Sequence, residues 1–155
     1  MSTARSKRRI AAAILASGVI IGSAAVPAVA DGHRAPHRSS VVIGEVQYKG
    51  RGHDDHSNRS LNAEWVEVKN KSRHGVNLRG YTLTDREGNR YRFERLRLDG
   101  RSSVKVHTGR GHDSRGDVFQ DRRDYFWDNN HDTATLRDAR GRVLDRESWG
   151  GRHHR

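Results

Sequence analysis

The 155-residue chain has no cysteine. This excludes a disulfide framework, a cysteine nucleophile, a thiolate metal site and a lipid anchor carried on cysteine. Proline occurs twice and methionine once. Apolar residues are scarce too: they make up 32% of the chain, and 18 of them fall in the first thirty positions. Only about 26% of the remaining 125 residues are apolar, well below the usual share of a globular domain. Any core must be thin, and a chain this polar folds only if its few apolar residues are regularly placed. Beyond residue 30, no apolar residues recur at helical spacing. No Gly-x-Ser-x-Gly elbow follows a strand, and no glycine-rich loop opens a helix to cradle phosphate. A helical bundle, an elbow-type serine hydrolase and a nucleotide-binding fold are all disfavoured.

The one long apolar run is N-terminal. Arg5, Lys7, Arg8 and Arg9 precede the run over residues 10–26, and "AVA" at 28–30 supplies a small-x-small cleavage site before Asp31. Residues 1–30 therefore read as a signal peptide. A membrane anchor is the alternative, because the run is nearly long enough to span a bilayer. Gly18, Gly22, Pro27 and the cleavage triplet favour release. The expected product is a secreted, extracellular protein without stable membrane insertion. Within it, residues 31–40 ("DGHRAPHRSS") read as a flexible lead, 41–150 as one domain and 151–155 as a disordered tail. No room remains for a second, catalytic domain.

The formal net charge is +11. Without the four leader cations, 26 Lys and Arg face 19 Asp and Glu, and 22 of the 26 are arginine. Arginine binds phosphate and carboxylate in bidentate fashion. Nucleic acid, anionic wall polymers and acidic headgroups are therefore candidate partners. A genome rich in G and C would also inflate arginine without any function, and the acids are interleaved with the bases.

Within 41–150 the apolar period is two. "VVIGEVQY" places Val42, Val46 and Tyr48 on one face. "EWVEVKN" sets Val66 and Val68 against Trp65, Glu67 and Lys69. "YTLTD", "RYRFE", "SVKVHT", "DTATLRD" and "GRVLDRESW" alternate in the same way. "KNKSRHG", "DREGN", "LDGRSS", "DNNHD" and "DARGR" are turns between them. Seven or more short strands joined this closely predict an antiparallel β-sandwich or barrel. Residues 108–124 break the pattern and read as a mobile loop, with Val118 and Phe119 pinning its middle to the core. Trp127 and Trp149 are expected to clamp the last hairpin.

Four of these stretches together resemble the lamin tail domain. "VVIGEVQY" is similar to that family's first strand, with Glu45 in place. "AEWVEVKN" supplies Glu64, Trp65, Val66, Glu67, Val68 and Asn70. "VNLRGYTLTD" supplies Val76, Leu78, Gly80, Tyr81, Leu83 and Asp85. "WDNNHDTATLRDARGRVLDRESWG" supplies Trp127, Asn129, Asp132, Leu136, Asp138, Gly141, Val143, Asp145 and Trp149. The resemblance implies an immunoglobulin-like antiparallel β-sandwich, and a binding or tethering module rather than an enzyme. It implies nucleic acids, proteins or envelope components as partners.

The candidate contacts lie in the loops, where binding residues concentrate. Arg110, Arg115, Arg122 and Arg123 are expected to meet an anionic polymer or a protein partner. Tyr125 and Phe126 alternate in direction, so one of them is expected to be exposed beside Arg122 and Arg123; Phe126 is the candidate ring on which a base or sugar could stack. A small metal-dependent hydrolase or nuclease is the alternative: His53, His56, His112 and Asp113 could converge on an ion if their loops share one end of the sandwich. A third reading is a surface module that self-associates along a sheet edge; the oligomeric state stays open. Glu64 and Glu67 should point to opposite faces, which leaves them to salt-bridge neighbouring arginines. No cofactor is expected.

Overall fold

The structure, a computed structural model, describes residues 39–50 and 55–150. The leader, the 31–38 part of the lead, His53 and the 151–155 tail lie outside the described residues.

Among the described residues there are ten strands and one short helix. They are β1 (Val41–Gln47), α1 (Asn58–Asn62), β2 (Trp65–Asn70), β3 (Val76–Asn77), β4 (Thr82–Thr84) and β5 (Arg90–Arg92). β6 (Arg97–Leu98), β7 (Ser103–His107), β8 (Asp117–Phe119), β9 (Asp132–Arg137) and β10 (Val143–Trp149) follow. One sheet runs β1-β2-β7-β8, the second runs β10-β9-β4-β5, and β3-β6 form a small ribbon. The expected two-sheet sandwich is what the chain builds.

Period two explains the core. Val66, Val68, Val104 and Val106 come from the first sheet, and Leu83, Ala134 and Leu136 from the second; all are fully buried. Phe93, Leu78 and Leu98 fill the space at the ribbon. Half of these side chains are valine or alanine, as suits a composition poor in apolar residues. Each valine, leucine and phenylalanine still contributes roughly 1.5–3 kcal/mol of burial.

Three expectations are corrected. In β1 it is Val41 and Ile43 that face the core, not Val42. A bulge between Ile43 and Val46 then shifts the phase, so that Val46 and Tyr48 also turn inward. Residues 58–62 form a one-turn helix that no apolar period announced, capped by Ser57 through a 3.2 Å bond from Ser60 N–H. The 108–124 stretch is tied down rather than loose. Val118 is buried, and β8 pairs with β7 in parallel. Arg122 N–H and Asp121 N–H donate to Thr108 and Gly109 carbonyls at 3.1 and 3.0 Å.

Four of the buried polar residues act as turn anchors. Asn70 donates to the His74 and Asp99 carbonyls at 2.7 and 3.0 Å and accepts from Ser72. Asp85 holds the Asn89 amide at 2.7 Å. Asp132 accepts from the Arg86, Thr133 and Asp128 amides. Asp138 accepts from the Arg140 and Arg142 amides and from Arg142 Nε at 2.7 Å. Burial works against ionising Asp138, but these bonds outweigh it and hold its pKa below the usual carboxylate value. A carboxyl that titrates lower folded than unfolded stabilises the fold fully above about pH 4, and loses that contribution as pH falls through the depressed value. Asp138→Asn should therefore lower the thermal midpoint at neutral pH and lower it progressively less toward about pH 2. An equal loss at both ends of a midpoint-versus-pH series would refute this account of the turn.

Candidate functional site

The end of the sandwich that carries α1 gathers the candidate residues. One helical turn sets Asn58 and Asn62 on the same side, and both side-chain amides donate to the Arg110 carbonyl, at 3.0 and 2.8 Å. Asn58 Oδ1 accepts the Arg110 N–H at 2.7 Å. The approach requires glycine at 109, because a Cβ there would stand 2.5 Å from Asn62 Oδ1 and 2.7 Å from Asn58 Oδ1. The Arg110 backbone is thus fixed while its side chain is exposed.

Arg122 is half-buried and spends its guanidinium on the fold. It lies 4.3 Å from the Phe126 ring centroid, with Nε donating to Gln120 Oε1 at 3.2 Å and Nη2 to the Arg90 carbonyl at 3.3 Å. Burial pulls its pKa down, and Asp85 and Glu64 partly offset that. Arg123 is exposed beside it. His56 holds a left-handed backbone (φ 55°), pairs with Asp124 at 3.4 Å and packs its ring on Tyr125, whose hydroxyl meets Ser60 Oγ at 2.5 Å. Together His56, Asn58, Leu61, Arg110, Arg122 and Arg123 line an open cleft of about 340 Å³.

Three of the four arginines chosen from sequence therefore converge. Arg115 does not; it lines a separate hollow with Arg79 and Arg97. Phe126 is also corrected: it is 4% exposed, and Arg122 covers its face, so it offers no open ring for stacking. Tyr125 is the partly exposed member of the pair.

The described members of the His-Asp set, His56, His112 and Asp113, are not brought together as a metal site. Among the described residues no three His, Asp or Glu side chains come together as a metal site. His56 lines the basic cleft. Asp113 lines a different hollow, beside Tyr91 and Phe119, because its Oδ1 accepts the Phe119 amide at 2.9 Å. His112 is exposed, and His53 lies outside the described residues.

Two residues carry roles the sequence did not assign. Glu64, expected to salt-bridge arginine, instead places Oε1 at 2.5 Å from the Thr108 hydroxyl, 2.9 Å from Phe126 N and 3.3 Å from Trp127 N. Its parity with Val66 and Val68 was the available signal that it faces inward. Glu67 does face outward, but it pairs with Lys69 at 2.8 Å rather than with arginine. His107 contacts the Asn62 carbonyl through Nδ1 and Asp117 Oδ1 through Nε2, both at 2.9 Å, and stacks on Phe119. It pins α1 to β7 and β8; nothing in its sequence neighbourhood indicated this.

A hollow of about 450 Å³ between the 85–89 turn and the 125–132 segment contains Asp85, Glu87, Asp128 and Asp132. The Asp85, Asp128 and Asp132 carboxylates bond backbone amides around them. They hold turns and present no free ligand set.

No curated protein matches the chain. The family model described as Lamin Tail Domain matches residues 34–151, a span that contains both sheets, the ribbon and the basic cleft. That domain is an immunoglobulin-like structural and binding module, and its fold accords with the two packed sheets seen here. On this match, which covers well over half of its length, the chain belongs to the lamin tail domain family.

Proposed function

We propose that the protein is an exported, non-catalytic binding module that holds an anionic polymer, a nucleic acid or a cell-envelope component, at its basic loop cleft. The observation that supports this reading is the gathering of Arg110, Arg122 and Arg123 around one mouth. Arg122 shapes the wall through its bonds to Gln120 and Arg90, while Arg110 and Arg123 present exposed guanidinium groups. Bidentate arginine contacts suit phosphate or carboxylate. The N-terminal leader pattern supports export.

Self-association along a sheet edge has less to work with. Asp145 Oδ2 caps the Ile43 amide of β1 at 2.9 Å. Asp113 and Ser114 bond the outer backbone of β8, and Arg122 bonds that of β5. Edges blunted in this way resist pairing with another chain.

The test is an electrophoretic shift of a short DNA duplex by residues 31–155 over a salt series. Counterion release predicts a linear fall of log affinity with log salt, and Arg110→Gln with Arg123→Gln should reduce the slope by about two. An unchanged slope, or no shift at low salt, would sink the reading.

A further inference from the structure

The outer face of the second sheet carries a separate charged surface. Register places Arg137, Thr82 and Arg92 in one row across β9, β4 and β5. Arg146, Thr135, Thr84 and Arg90 form a second row across all four strands. Thr133 and Ser148 form a separate pair two residues further along β9 and β10, their hydroxyls 2.9 Å apart. The alternate residues Leu83, Ala134 and Leu136 point into the core, so these rows face out.

The composition of the face is one-sided. It holds four arginines and five hydroxyl residues, Thr82, Thr84, Thr133, Thr135 and Ser148, of which Thr135 is buried, with no carboxylate in either register row. The ion pairs found among the described residues use none of the four arginines. Arg137 Nη1 donates to the Gly141 carbonyl at 3.2 Å. The acid that lines the groove, Asp138, is matched by Arg142 at 2.7 Å. A shallow groove of about 290 Å³ runs here, lined by Thr82, Thr84, Arg90, Arg92 and Arg137, with Asp138 at its end.

We infer that this face binds a base-free phosphodiester polymer, a chain of polyol units joined through phosphate. Charge complementarity calls for an extended polyanion. Arg90 and Arg92 are two residues apart on one strand, about 7 Å, and neighbouring strands lie about 4.8 Å apart. Anions recurring along a flexible chain can therefore meet successive guanidinium groups. The part-exposed Thr82 and Thr84 lie between the arginines, and their hydroxyls can bond polyol oxygens. No aromatic ring lies in these rows, so neither a nucleobase nor a sugar ring finds a stacking partner. Nor, among the described residues, does any helix project from the face to enter a duplex groove. The inference uses none of the loop-cleft residues.

Calorimetric titration of residues 31–155 with poly(glycerol phosphate) tests it. Single-stranded DNA and polygalacturonate, at equal charge, serve as comparison polymers. Poly(glycerol phosphate) should bind tightest, and Arg92→Gln, Arg137→Gln and Arg146→Gln together should weaken it at least tenfold with an unchanged unfolding midpoint. Arg146→Glu, exposed on the edge strand, is a second variant that should weaken binding severalfold by itself. Arg110→Gln with Arg123→Gln should leave this binding in place. Full retention by the sheet-face variants overturns the inference, as does tighter binding of either comparison polymer. If only the loop-cleft variant loses poly(glycerol phosphate), the inference fails and the cleft reading stands.

Discussion

Replacing Glu64 with alanine is expected to destabilise the domain by about 3–5 kcal/mol, enough to leave it partly unfolded at room temperature. The carboxylate is 1% exposed. Its Oε1 collects the Thr108 hydroxyl and the Phe126 and Trp127 amides. Alanine removes the acceptor and leaves three buried donors facing a void. Each unsatisfied buried donor costs about 1–3 kcal/mol. Glu64→Gln keeps a carbonyl oxygen in nearly the same place and should cost much less, about 1–2 kcal/mol. Urea unfolding of the three proteins measures both differences. A Glu64→Ala loss under about 1 kcal/mol, or a glutamine variant as damaged as the alanine one, would show that the three-donor bond set does not hold the 108 and 126–127 segments.

Glu64 also illustrates what sequence could and could not reveal. Strict alternation in β2 gave the strand and its inward face correctly. The same alternation puts Glu64 on the buried face beside Val66 and Val68. An acid on that face, facing the core, needs donors, and those donors come from residues 44 to 63 positions away. Period alone has no access to such partners. The same holds for Asn70, Asp85, Asp132 and Asp138, which a motif marks by spacing and the structure employs as turn anchors. In β1 the bulge made the sequence reading fail, because a single inserted residue reverses which parity faces inward. The 108–124 stretch misled for a different reason. Its glycines looked like freedom. Gly109 is instead needed for close approach to Asn58 and Asn62, and Gly111 for the Phe119 ring that lies over it.

For the candidate site, legibility was uneven in a physically simple way. Arg110, Arg122 and Arg123 could be chosen because charge in a loop is visible in sequence. Whether a charge is free is not visible. Arg122 proved to be committed to Phe126, Gln120 and Arg90, while Arg110 and Arg123 stay exposed. Arg90, Arg92, Arg137 and Arg146 were dispersed over more than fifty residues of sequence. Only strand register brings them onto one face.

The two C-terminal tryptophans should prove to be a coupled clasp, with Trp127→Ala costing about 4 kcal/mol and Trp149→Ala about 2–3 kcal/mol. Trp127 is 2% exposed and wedged edge-on between Phe126 at 4.5 Å and Trp149 at 5.6 Å. Trp149 is partly exposed; it stacks on Tyr48 at 4.9 Å and donates Nε1 to the Asp128 carbonyl at 2.7 Å. Through Tyr48 the last strand of one sheet is joined to the end of the first strand of the other. Trp149→Phe retains the stacking ring and loses the hydrogen bond, and should cost about 1 kcal/mol. Because the two indoles touch, the double alanine variant should cost less than the sum of the single ones, by about 1 kcal/mol. Denaturant unfolding of all four variants closes the cycle. Strict additivity would mean that the indoles act through separate neighbours. The joining of the sheets would then fall to Tyr48–Trp149 stacking and the Asp145–Ile43 bond alone.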